Sequence, residues 1–160
     1  MSAALDAAAF RTVLARFASG VTVLTLRGSD GKDHGMTATA FSSLSLDPPL
    51  VILCVGYAAS IARALIDAQH LAIHFLAAEQ EPLARRFAEK DTDRFAGFRT
   101  RRGLHNLPLL EGALAVLQCR IAARHAGGDH EIVIAEVLAA EGSEGSPLLY
   151  YRGQYSAIAP

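Results

Sequence analysis

The sequence predicts a mainly β fold with flanking helices, closed as an antiparallel barrel. Three observations carry that expectation. Short alternating or unbroken apolar segments recur along the chain, most of them separated by hairpin-length turns. Only three segments read as helices. No G-x-G-x-x-G lies between a strand and a helix, which disfavours a dinucleotide-binding parallel sheet. The chain has 160 residues and is 51% hydrophobic, enough for one domain over 1–160 with its own core.

Asp6 to Ser19 reads as an amphipathic helix. Asp6 caps its start, Phe10, Val13, Leu14 and Phe17 share a face, and Gly20 ends it. Val21 to Arg27 alternates as a half-buried strand. Gly28-Ser29-Asp30-Gly31 is a hairpin signal, so His34 to Ala40 returns antiparallel. Phe41 to Leu46 and Leu50 to Gly56 are further strands, divided by a corner at Asp47-Pro48-Pro49. Ser60 to Gln69 reads as a short helix and Leu71 to Leu76 as a strand. Glu81 to Glu89 is a helix with Pro82 in its first turn, where the missing N–H does little harm. Asp91 to Leu110 is polar, glycine-punctuated and arginine-rich, and reads as a long loop of the kind that often carries function. Strands resume at Ala113 to Arg124, Glu131 to Ala140 and Leu148 to Tyr151, with a last piece near Tyr155.

The stretch Gly35 to Gly56 is the most informative. Thr37, Ala38, Thr39, Ala40, Ser42, Ser43 and Ser45 are small, and five of these seven bear a hydroxyl. Small side chains let a ligand approach the backbone, and hydroxyls with nearby peptide groups hydrogen-bond a polar cofactor. The apolar run Leu50 to Val55 behind them reads as a buried strand that holds such a surface rigid. The same residues also suit an ordinary strand whose hydroxyls face water.

Composition narrows the function classes. A formal net charge of −1 with no basic block gives nucleic-acid binding little support. Arg99, Arg101 and Arg102 form a short cluster, either solvated or facing a ligand phosphate. Asp6, Arg11 and Arg16 interrupt any signal-peptide core, and no apolar run approaches a membrane span. Cys54 and Cys119 sit in apolar strands as free thiols rather than a disulfide framework. His70 and His74 are four apart on a strand pattern, so no metal-ligand spacing emerges and no metal site is assigned. A cytoplasmic domain without membrane association is expected.

Six blocks, in order, carry a resemblance: FASGVTVLT (Phe17 to Thr25), HGMTATAFSSLSLDPPLV (His34 to Val51), LARRFA (Leu83 to Ala88), LPLLEGALAVLQC (Leu107 to Cys119), GDH (Gly128 to His130) and PLLYYRGQY (Pro147 to Tyr155). From about Phe10 to Ala157 the chain resembles the short-chain NAD(P)H:flavin oxidoreductases, the reductase components of two-component monooxygenases. The resemblance implies an FMN-binding split β-barrel of antiparallel Greek-key type and a homodimer.

It also implies site residues. Thr37, Ala38, Thr39, Ala40, Phe41, Ser42 and Ser43 correspond to the segment along the isoalloxazine ring. Cys54, Val55 and Gly56 end the strand under the flavin, and Ala59 and Ser60 lead to its phosphate at what reads as a helix N-terminus. Relatives often place Lys or more hydroxyls in that turn. Here it reads YAAS, which leaves Arg63, Arg85 or Arg86 to compensate. Arg86 and Phe87 match a helix that approaches the flavin. His130 matches a residue beside the nicotinamide, and is the one catalytic candidate. Tyr155 matches the aromatic residue that closes over the nicotinamide. His34 and Gly35 lie at the entrance.

The implied activity is NAD(P)H-dependent reduction of free FMN or FAD, with NADH or NADPH as donor and a flavin-dependent monooxygenase receiving the reduced flavin. The alternative is a flavin-binding electron-transfer, storage or sensor protein on the same barrel. A pyridoxine-phosphate oxidase on a related barrel calls for more Arg and Lys phosphate ligands than this segment offers.

Overall fold

The computed structural model describes residues 5–158. Helix α1 (Ala7–Leu14) is capped by Asp6, whose carboxylate accepts from the amides of Ala8 and Ala9 at 3.3 and 3.2 Å. It stops well before Gly20. Ser19–Gly20 (β1) is drawn into pairing with a C-terminal strand, and tertiary pairing overrides the helical pattern.

β2 (Thr22–Arg27) pairs on one side with β3 (Asp33–Ala38) across the expected hairpin. β4 (Phe41–Leu46) and β5 (Pro49–Gly56) follow, with a cis Asp47–Pro48 peptide at their corner. A short helix α2 (Ala62–Asp67) leads to β6 (His70–Phe75), and α3 (Glu81–Ala88) packs outside the sheet. The segment expected as a loop from Asp91 to Leu110 contains a small hairpin, β7 (Thr100–Arg102) with β8 (Pro108–Leu110). Its strands are too short to show a period. They form because Leu107, Leu109 and Leu110 are buried, at 2% exposure or less.

Two long strands, β9 (Ala115–Gly127) and β10 (His130–Gly142), extend the central sheet. β11 (Leu148–Tyr151) and β12 (Gln154–Ala157) complete a three-stranded sheet with β1.

The central sheet has the order β3-β2-β6-β9-β10-β5-β4, with every pair antiparallel. Its two edge strands, β3 and β4, are consecutive and separated only by Thr39 and Ala40, so the sheet curls until its edges meet at that corner. One core cluster unites Leu24 of β2, Leu53 of β5, Ile73 of β6, Cys119 of β9 and Val133 of β10. A flat sheet could not bring these strands into one core. β2 is buried on both faces, and its hydroxyls find acceptors: Thr22 donates to the Ala38 carbonyl at 2.7 Å and Thr25 to Pro108 at 2.6 Å. A second cluster, with Val21, Leu83, Phe87 and Leu148, joins α3 and the small sheet to the barrel wall.

Candidate functional site

Strand β3 and helix α3 make one wall. A side chain on Gly35 would place its Cβ 2.6 Å from Cε1 of Phe87 and 3.0 Å from the Leu24 carbonyl oxygen. Only glycine lets α3 lie this close. Two residues on, the Thr37 hydroxyl donates to the Ala84 carbonyl at 2.6 Å. Phe87 is 1% exposed and meets Phe95 edge-on at 5.0 Å, with Phe98 at 6.3 Å. The chain after α3 is thereby pinned across the end of β3.

Beside this wall run two adjoining polar cavities of about 230 and 440 Å³, both lined by His34 and Ser60. The first adds Asp33, Gly35 and Thr92 to Phe95, and the second adds Asp30, Arg63 and Asp67. His34 Nε2 lies 3.0 Å from the Asp30 carboxylate. Asp33 is bridged by Arg27 at 2.9 Å and Arg102 at 2.8 Å. Burial alone would raise the Asp33 carboxyl, but hydrogen bonds from Arg102 and then Arg27 outweigh it and hold it below the usual range. A third cavity of about 280 Å³, lined by Tyr57, Ile66 and Glu131, shares Arg63 with the groove.

The end of β5 carries the other half of the arrangement. Gly56 pairs with His130 in register, and the Gly56 Cβ position lies 3.5 Å from His130 Nε2. The Tyr57 amide donates to the Asp129 carbonyl at 3.0 Å, which locks the two turns together. His130 is exposed, and its Nδ1 is 2.7 Å from the Asp129 carboxylate. A carboxylate on Nδ1 favours the proton there and directs Nε2 toward Gly56. The Asp129 carboxyl is lowered in turn by that hydrogen bond.

These features stand on a chain whose residues 14–159 match the flavin reductase like domain. The chain belongs to the flavin reductase-like family. It is 40% identical over 156 residues to the reductase component of a 4-nitrophenol 4-monooxygenase/4-nitrocatechol 2-monooxygenase from Rhodococcus opacus, covering 98% of this chain and 83% of that protein. It is 40% identical over 154 residues to an NADH-dependent flavin reductase from a Rhodococcus species, covering 92% and 84%. Its fold matches an NADH:FAD oxidoreductase from Streptomyces globisporus C-1027, solved with NAD and FAD fragments, at a TM-score of 0.91 and 38% identity. That match covers 97% of this chain and 94% of the other.

Within this flavin reductase-like barrel the expected flavin segment is divided. Thr37 has its proton engaged by α3, and Ala38 is buried in the core at 9% exposure, so it offers a ligand only backbone. Thr39 and Phe41 line a separate, mainly apolar cavity of about 400 Å³ with Phe17, Phe75 and Leu148, and Phe41 meets Phe75 edge-on at 5.0 Å. The Ala40 carbonyl accepts from the Cys54 amide at 3.1 Å. Ser42 and Ser43 are exposed on edge strand β4, and the Ser42 hydroxyl turns to the Ser43 carbonyl at 3.0 Å. Val55 is buried at 1% and Cys54 is half-buried, so the end of β5 presents chiefly Gly56.

Ala59 is half-buried and Ser60 exposed, but neither caps a helix. α2 begins at Ala62 behind Ile61, which makes no side-chain cap, because the chain leaves β5 through a turn in which the Ala59 amide bonds the Gly56 carbonyl at 2.9 Å. Arg124 steadies the far end of α2 by donating to the carbonyls of Leu65 and Ala68.

The arginines separate by their partners. Arg85 pairs with Glu81 and lies 5.0 Å over the Tyr155 ring, while Arg86 lies 3.7 Å from Glu89. Burial and then Tyr150 raise the Tyr155 phenol, which stays protonated. Arg99 pairs with Glu111, Arg101 with Glu141 and Arg102 with Asp33. Arg63 and Arg94, both lining the groove, form no ion pair among the described residues.

The polar groove, with cations free of carboxylate partners among the described residues, suits a phosphate; the aromatic-walled apolar cavity suits a flat ring but shares no lining residue with that groove. The structure brings His34, Gly35 and Ser60 to one groove and sets Gly56 against His130. Tyr155 stands on the small sheet with Arg85, and Phe87 supports the groove from beneath. Arg94 and Phe95 escaped the sequence reading, since a segment without periodicity carries no signal of what it packs against.

Proposed function

We propose that this chain catalyses the reduction of free flavin by a reduced nicotinamide dinucleotide and supplies the product to a monooxygenase component. The juxtaposition of Gly56 and His130 carries this reading, because it unites the segments matched to flavin and nicotinamide. Bound flavin supplies the acceptor for a hydride from nicotinamide C4 at its N5. The protein's task is to hold the two rings near contact distance and to keep His130 oriented by Asp129, with its free ring nitrogen at the Gly56 end. No side-chain nucleophile is required.

NADH is the donor this arrangement favours. Arg99, Arg101 and Arg102 are engaged by carboxylates and offer no ready seat for the extra phosphate of NADPH. The working unit is a single cytoplasmic domain acting as a homodimer. α1 buries none of its residues, and Phe10, Val13, Leu14 and Phe17 stand 48–81% exposed, an unpacked apolar face suited to a second copy.

NADH oxidation followed at 340 nm with FMN, FAD or riboflavin tests the activity; no flavin-dependent oxidation under any combination contradicts it. His130→Ala is expected to lower kcat/KM for NADH about 10²-fold while leaving the melting temperature unchanged, since the side chain is exposed. Full activity with unchanged NADH affinity removes His130 from the site.

A further inference from the structure

We propose that the cavity of about 280 Å³ between the end of β5 and α2 receives the adenosine end of a dinucleotide, an assignment that rests on the flavin-reductase reading above. Its size lies near the lower end of small-molecule sites, roughly 300 Å³, and suits one nucleoside better than a whole dinucleotide. Tyr57 lines it and stands 54% exposed. Ile66 lines it too and is 69% exposed, although its neighbour Leu65 is buried in the core. An aromatic ring and an aliphatic chain left in solvent beside a cavity offer a flat base a stacking surface. Glu131 adds a half-buried carboxylate, a group that accepts hydrogen bonds from ribose hydroxyls. Arg63 lines both this cavity and the polar groove that holds Ser60, and it forms no ion pair among the described residues. A guanidinium therefore stands where the linking phosphates of a dinucleotide would pass.

The walls are fixed without a ligand. The Tyr57 amide is tied to the Asp129 carbonyl at 3.0 Å. Arg124 donates to the Leu65 and Ala68 carbonyls at the end of α2 and lies 3.5 Å from Glu131, so one guanidinium binds α2 to the start of β10. The position is also apt. Glu131 follows His130 and pairs in register with Val55, so the cavity begins one residue from the contact between Gly56 and His130. A dinucleotide with its reactive ring at that contact reaches Tyr57 with its other end. FAD and a nicotinamide dinucleotide carry the same adenosine, and the experiment separates them.

The test uses two pairs of ligands that differ by the adenosine. FAD and FMN are compared by quenching of flavin fluorescence on the oxidised protein without NADH. NADH and reduced nicotinamide mononucleotide are compared by their KM in flavin reduction. Tyr57→Ala is expected to weaken the longer member of at least one pair about tenfold and to change its shorter member less than about twofold. Selective loss of FAD places the adenosine of the flavin in the cavity, and selective loss of NADH places that of the donor there. Tyr57→Phe is expected to keep the wild-type values, because stacking needs the ring and not the hydroxyl. Equal changes within both pairs, or no change in either, overturn the assignment. So does a wild type that favours neither FAD over FMN nor NADH over the mononucleotide. Failure of the reductase reading itself shows separately, as wild-type protein that binds flavin without oxidising NADH.

Discussion

Phe87→Ala lowers the unfolding free energy by about 3–5 kcal/mol and weakens flavin binding with it. The ring is fully buried, fills the space against Gly35, and carries Phe95 and Phe98 on its edges. Its removal leaves a cavity between α3, β3 and the segment after α3, and the last two of these line the polar groove. For a chain of this size the loss corresponds to a fall of roughly 6–20 °C in the melting temperature. Phe87→Leu keeps most of the volume and loses less. Calorimetry gives the stability, and flavin titration well below the melting transition gives the site. A variant that melts early but binds FMN normally uncouples the ring from the groove.

Acid weakens the fold over a defined interval because of His74. The ring is fully buried, with Nδ1 3.0 Å from the Val23 carbonyl and Nε2 accepting from the Leu110 amide at 3.0 Å. Both contacts suit the neutral imidazole with its proton on Nδ1. Burial depresses the pKa from 6.5 to about 4, with Arg101 adding to the effect and the Val23 hydrogen bond opposing it.

Below pH 6.5 the unfolded chain takes up a proton that the folded site refuses, so stability is fully present above 6.5 and drains away as the pH falls toward 4. The slope approaches 1.4 kcal/mol per pH unit, and the total loss is about 3 kcal/mol. His70, lowered by burial and then by His105 and Arg120, acts in the same direction. Denaturant midpoints measured from pH 7.5 to 4 should decline through this window. His74→Leu should flatten the decline while lowering the plateau, because it strands the Leu110 amide. A flat wild-type profile contradicts the burial argument.

The fold was legible where a segment's own pattern agreed with its surroundings. The strands at 22–27, 49–56 and 148–151 alternate or run apolar, and each is in place. Phe10, Val13, Leu14 and Phe17 were expected to form one apolar face, and they stand exposed among the described residues; periodicity reports a wish for burial, not the surface that satisfies it. The hairpin within residues 91–110 was invisible because three-residue strands have no period.

The site divides in the same way. Gly35, Gly56 and His130 are singled out by the resemblance; close approach demands glycine at Gly35, where a Cβ would meet Phe87 at 2.6 Å, whereas a Cβ at Gly56 would make ordinary contact with His130 at 3.5 Å. From sequence alone the Arg99, Arg101 and Arg102 cluster suits either solvent or a ligand phosphate. Its partners Glu111, Glu141 and Asp33 arrive from other elements, and only the fold shows that these charges are already satisfied. Arg94 is the converse, an unremarked arginine that the fold leaves without an anion.

The most direct test of the central claim is anaerobic mixing of the protein with FMN and a limiting amount of NADH, with absorbance followed at 340 and 450 nm together. Flavin is expected to bleach in step with NADH loss, one flavin per NADH. Flavin that remains yellow beside intact NADH, with FMN demonstrably bound, contradicts it and leaves a flavin-binding protein without nicotinamide turnover.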